Sequence, residues 1–145
     1  MILISEEIRE MLKDKWSGLT DDRIWPRGKK YKIISMARLL DVVDKCSIKG
    51  KYKWLDEGWE CESFSTMLQA AVLDYQYNEE VSIHSYKSYT PWFFAIAIGL
   101  RFRGQDGNHN INLAITDKGI VLIEPMDDSI WLADSDKDNP YFIFR

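Results

Sequence analysis

Apolar residues recur at helical spacing in the first half of the chain and alternate with polar ones in the second. From Ser5 to Trp16, the residues Ile8, Met11, Leu12 and Trp16 form one stripe. Ser5 suits the helix cap, Glu6 and Glu7 suit its positive end, and Gly18 stops it. A loop from Thr20 to Lys30 holds Trp25-Pro26 and Gly28, and Tyr31 to Ile34 reads as a short extended entry. Ser35 caps a second helix carrying Met36, Leu39, Leu40 and Val43. Ile48 to Trp54 reads as a short strand or loop. A third helix opens at Trp59-Glu60-Cys61-Glu62-Ser63-Phe64-Ser65. Its apolar positions are Cys61, Phe64, Leu68, Ala71, Val72 and Tyr75, and Asn78-Glu79-Glu80 ends it.

Beyond it, Val81 to Tyr89 carries weak strand signals, and Pro91 punctuates. Trp92 to Arg103, His109 to Thr116 and Ile120 to Glu124 read as strands joined by turns at Gly104 to Asn108 and at Asp117-Lys118-Gly119. Pro125 ends the third of these, and Tyr141 to Phe144 reads as a last edge strand. Helices first and an antiparallel meander second predict an α+β fold. N-terminal helices precede a central helix starting at Cys61, packed on an antiparallel sheet. Residues 1–145 read as one domain, with a helical lead-in over 1–50.

Composition narrows the function classes. The 145 residues are 46% hydrophobic and 29% charged, which suits a globular chain with a real core. The net charge of -4 gives no basic footprint, so no nucleic-acid partner is expected. The basic stretch Arg27 to Lys32 reads as a solvated loop or strand edge. Cys46 and Cys61 make no disulfide framework, and no His/Cys cluster has metal spacing, so no metal or cofactor is expected. Met1 to Ile4 is too short for a signal peptide. No apolar run approaches the ~20 residues of a membrane span. These points predict a cytoplasmic protein without a membrane partner.

The candidate chemistry lies in three residues. Cys61 stands at a helix start, where the dipole and free N–H groups favour a thiolate. The flanking Glu60 and Glu62 act against this. His109 lies on a later strand, and Glu124 ends the next one. The turn at Asp117-Lys118-Gly119 folds His109 and Glu124 toward neighbouring positions, provided the register is right. A thiol nucleophile, an imidazole base and an orienting carboxylate are the groups that covalent acyl chemistry needs. His84 is a rival base, and Asp117 and Asn112 are rival orienting groups. Trp54, Trp59, Trp92 and Gln105 are candidates for the walls of a cleft; the aromatics among them serve equally well as core.

The segment His-Asn-Ile-Asn-Leu-Ala-Ile-Thr-Asp-Lys-Gly-Ile-Val-Leu-Ile-Glu-Pro, residues 109–125, resembles the His strand, turn and acid strand of transglutaminase-like cysteine peptidases. Trp59 to Phe64 is similar to their nucleophile segment, with the Trp-x-Cys-x-x-Phe opening of small bacterial and phage members. The resemblance covers about 59–125. It implies a transglutaminase-like or papain-like fold, with Cys61 as nucleophile, His109 as base and Glu124 in a position usually held by Asp. It further implies a cysteine hydrolase or acyltransferase acting on amide or ester bonds of a peptide, protein or glycopeptide. The alternatives are a catalytically inactive module that binds carbohydrate or peptide, and a phage accessory or structural protein.

Overall fold

A computed structural model describes residues 1–56, 58, 60–81 and 89–145. Among them run eight strands and three α-helices: β1 (Ile2–Ile4), α1 (Ser5–Lys15), β2 (Ile24–Trp25), β3 (Lys30–Lys32), α2 (Met36–Cys46), α3 (Cys61–Val81), β4 (Phe94–Phe102), β5 (Gln105–Thr116), β6 (Gly119–Glu124), β7 (Ser129–Leu132) and β8 (Asn139–Phe144). Trp59, His84 and the reading of Val81 to Tyr89 as a strand fall wholly or largely outside the described residues.

Six strands form one sheet in the order β2-β8-β4-β5-β6-β7, and β1 pairs with β3 apart from it. Alternation along the strands sends side chains to two faces. Ala95, Ala97, Leu113, Leu122 and Ile143 pack with Ile8 and Leu12 of α1, and with Trp16 just beyond it, on one face. Phe94, Ala114, Val121 and Ile123 pack on the other with Leu39 and Val43 of α2 and Phe64, Leu68 and Val72 of α3. β4, β6 and the second half of β5 are apolar at most positions because both of their faces are covered.

Three amide side chains fix α3 on the sheet. Asn112 Nδ2 donates to Ser65 O at 2.9 Å, and Gln69 Nε2 donates to Phe94 O at 3.2 Å. Buried Gln76 accepts from Trp92 N at 2.9 Å and donates to Thr90 O at 3.2 Å. Each answers a buried backbone group, so sliding the helix would break them together. The start of α2 is anchored similarly. Ser35 Oγ accepts from Arg38 N at 3.1 Å, and Asp117 of the β5–β6 turn accepts from Met36 N at 2.6 Å.

The expected α+β arrangement, helices packed on an antiparallel sheet, is corrected here. The six-stranded sheet is mixed, because β2 joins β8 in parallel. The lead-in over 1–50 contributes β1, β2 and β3 as well as helices. These strands are two or three residues long, too short to alternate visibly. The last strand is also not an edge: β8 lies between β2 and β4. β7 was unread, since Ser-Ile-Trp-Leu is too short to show a period. Ser5 is the first helical residue rather than the cap, and its hydroxyl donates to Gly28 O.

Candidate functional site

Cys61 is the first residue of α3. The amides of Ser63 and Phe64 turn back to Glu60 O, at 2.9 and 3.2 Å. The amides of Cys61 and Glu62 precede any helical acceptor. The thiol is half-buried, and its sulfur lies 3.8 Å from Glu62 Oε2. Cys46 is the contrast. It is also a free thiol, but it is buried, contacts Ala71 O at 3.6 Å, and is pushed up to about 11 by burial and then by Asp74.

His109 lies within β5, which begins earlier than the sequence pattern implied, at Gln105. Leu113 opposes Leu122 and Asn112 opposes Ile123, so extending the register by one pair sets Glu124 opposite Ile111. His109 and Glu124 then share one face as diagonal neighbours. The result is a contact of 2.6 Å between His109 Nε2 and Glu124 Oε2. Glu124 Oε1 also accepts from Met126 N at 3.2 Å, which holds the carboxylate. The imidazole also interacts with the Cys61 thiol. His109 is pushed up to about 9: the hydrogen bond with Cys61 is the largest cause and that with Glu124 the next, opposed by burial. The imidazole therefore carries its proton at neutral pH.

A glycine shapes the space around this ring. Gly99 is the partner of His109 across the β4–β5 ladder, next to a register shift. Phe102 folds back there, and its ring meets His109 edge-on at 6.4 Å. A Cβ on Gly99 would lie 2.6 Å from Phe102 Cζ and 2.7 Å from Asn139 O. Only glycine leaves room for this packing.

His109 and Glu124 open onto a cleft of about 370 Å³. Phe102 and Trp131 give it aromatic surface. Arg103, Gln105, Asn108 and Asp127 give it planar polar groups. Gln105, the first residue of β5, is one of these lining residues. Trp54 does not line this cleft; it stacks on Phe64 at 6.4 Å, one turn beyond Cys61, and is 46% exposed. Trp92 does not line this cleft either; it is buried, 5% exposed. Arg103, Asn108, Asp127 and Trp131 were missed by sequence reasoning, because turn and short-strand residues carry no period to reveal them. A larger hollow of about 830 Å³ borders Ile34, Arg38 and Trp92, but its charges pair with one another: Lys32 with Glu80 at 3.4 Å and Arg38 with Glu79 at 3.0 Å. Among the described residues, no three or more His, Cys, Asp or Glu side chains converge as a metal site. No helix among them is long and apolar enough to cross a membrane.

No family model and no curated protein sequence matches the chain. Solved structures do match its fold. One is described as "PSL1a-E64 complex", with a TM-score of 0.76 and 16% identity over 99% of this chain and 51% of that one. Another is Polyporus squamosus lectin bound to the human-type influenza-binding epitope Neu5Aca2-6Galb1-4GlcNAc, with a TM-score of 0.74 and 15% identity over 99% of this chain and 49% of that one. The chain spans about half the length of the solved chains it matches. The second is described as a lectin, and this likeness of fold corrects the expected transglutaminase-like or papain-like peptidase identity. The cysteine-protease and hydrolase description that rested on that identity is corrected with it. Short motifs around Cys61 and His109 suggested a family that the likeness over the whole chain does not support.

Proposed function

We propose that this chain is a binding module for carbohydrate-bearing or peptide ligands, and that residues 1–145 act as one domain. The cleft beside His109 carries this reading. Trp131 gives the cleft aromatic surface against which the C–H surface of a sugar ring can rest, beside the Arg103 guanidinium stacked on its ring. Gln105, Asn108 and Asp127 offer planar donors and acceptors matched to hydroxyl and amide groups. The lectin fold likeness supports the same reading, and a glycopeptide is the ligand class that fits both halves of the cleft's chemistry. Two free cysteines suit a reducing compartment such as the cytoplasm.

A second reading is favoured by one observation, the interaction of His109 with both Glu124 and Cys61. In this reading the Cys61 sulfur attacks an acyl carbonyl of the bound ligand, His109 carries the proton to the leaving group, and Glu124 holds the imidazolium. Both readings place the ligand in one cleft, so a single experiment separates them. The protein is incubated with a glycopeptide, affinity is measured by calorimetry, and the peptide is weighed afterwards. Saturable binding with an intact peptide and unmodified Cys61 supports the binding module. Peptide cleavage, or an acyl adduct on Cys61 that Cys61→Ala abolishes, supports the second reading. Absence of binding would overturn both.

A further inference from the structure

Arg103 adopts a backbone conformation that non-glycine residues rarely take, with φ at 52°. Its amide donates to Asp138 Oδ1 at 2.9 Å. Asp138 is 1% exposed, and it also accepts from Trp131 Nε1 at 3.3 and 3.4 Å and from Asp134 N at 2.7 Å. One buried carboxylate thus fixes both the Arg103 backbone and the Trp131 indole. Above them the Arg103 guanidinium stacks on the Trp131 ring, 4.1 Å from its centroid. A stacked guanidinium has lost much of its freedom before any ligand arrives.

The other charged groups of the cleft are engaged. Glu124 holds His109 at 2.6 Å, and Asp106 holds Arg101 at 2.7 Å. Among the described residues, the Arg103 guanidinium makes one ion pair, with Asp127 at 4.0 Å and so outside hydrogen-bond range, while Asp138 engages the Arg103 backbone amide. That Asp127 oxygen already accepts from Ser129 N at 2.8 Å. The guanidinium edge, 43% exposed as a side chain, is left facing the cleft.

We propose that Arg103 is a specificity-determining residue that receives a carboxylate of the ligand through paired N–H donors. This rests on the cleft being the ligand seat. The geometry selects the carboxylate, which a sugar acid or a peptide acid can supply. Strain at Arg103 accords with such a role, because a backbone held against its preference keeps the side chain over Trp131 rather than out in water.

The test uses two matched pairs: sialyllactose against lactose, and a tetrapeptide with a free terminal carboxylate against its amide. Binding is followed by the ring-proton signals of His109. The acid should bind about tenfold more tightly than its neutral partner in at least one pair, and the pair that responds identifies the carboxylate's source. Arg103→Gly should erase that preference while leaving the melting temperature equal or higher, because glycine accepts the positive φ without strain. Arg103→Lys, which keeps the charge but loses the paired donors, should retain part of it. Equal binding of acid and neutral forms would overturn the Arg103 proposal and leave the cleft reading standing. An acid preference unchanged in Arg103→Gly would do the same. Absence of binding by all four probes would overturn both.

Discussion

Replacing Glu124 with Gln tests the electrostatics of the site directly. The substitution keeps the shape and removes the charge that faces His109 Nε2 at 2.6 Å. His109 is raised from 6.5 to about 9, with Cys61 the larger cause and Glu124 the second. That gap corresponds to roughly 3 kcal/mol favouring the protonated ring. The ring is 30% exposed and the influence is shared, so Glu124 accounts for about 1–2 kcal/mol of it. A raised histidine stabilises the folded state fully below pH 6.5, and this contribution is lost as pH rises through about 9. Glu124→Gln should therefore cost about 1–2 kcal/mol near pH 6 in urea unfolding. The deficit should close as the pH passes 9. His109 is one of two histidines, so its ring-proton titration is readily assigned with His109→Ala. In the variant its midpoint should fall by about one pH unit. A wild-type midpoint near 6.5, or a stability deficit that grows with pH, would refute the reasoning.

Three further outcomes are expected. Cys61 should alkylate faster than Cys46 near neutral pH, because Cys46 is buried and pushed up to about 11; His109→Ala should slow Cys61 alone, as read by mass after timed alkylation. Gly99→Ala should lower stability by about 1–3 kcal/mol, because the new Cβ meets Phe102 and the Asn139 carbonyl; an unchanged melting temperature would mean that the ladder relaxes freely. Gln76→Leu should cost about 1–3 kcal/mol by leaving the buried Trp92 amide without its acceptor, yet leave Cys61 alkylation unchanged in the folded protein, since the contact lies at the far end of α3.

The long elements were legible in the sequence, and the architecture was not. Cys61 to Tyr75 carries a helical period over several turns, and α3 begins at Cys61. Asp117-Lys118-Gly119 marks a turn, and its register places His109 beside Glu124. Strands β1, β2 and β3 have too few residues to show alternation, so the lead-in read as helices and loops. The parallel addition of β2 to β8 joins segments more than a hundred residues apart, which local pattern does not encode. The cleft depends on the same kind of distance. Asp138 joins Arg103 to Trp131 by accepting from both, yet nothing near Asp138 in the sequence announces that role. Family resemblance drawn from two short motifs named a family that the fold likeness over the whole chain corrects.

The most direct test of the binding-module account is a nitrogen-resolved NMR titration with a glycopeptide, combined with the intact mass of protein and peptide at the end. The account predicts saturable shifts centred on the Trp131 indole N–H, the Gln105 and Asn108 side-chain amides and the His109 ring, with both masses unchanged. Shifts centred elsewhere, absence of shifts, or a cleaved or covalently captured peptide would contradict it.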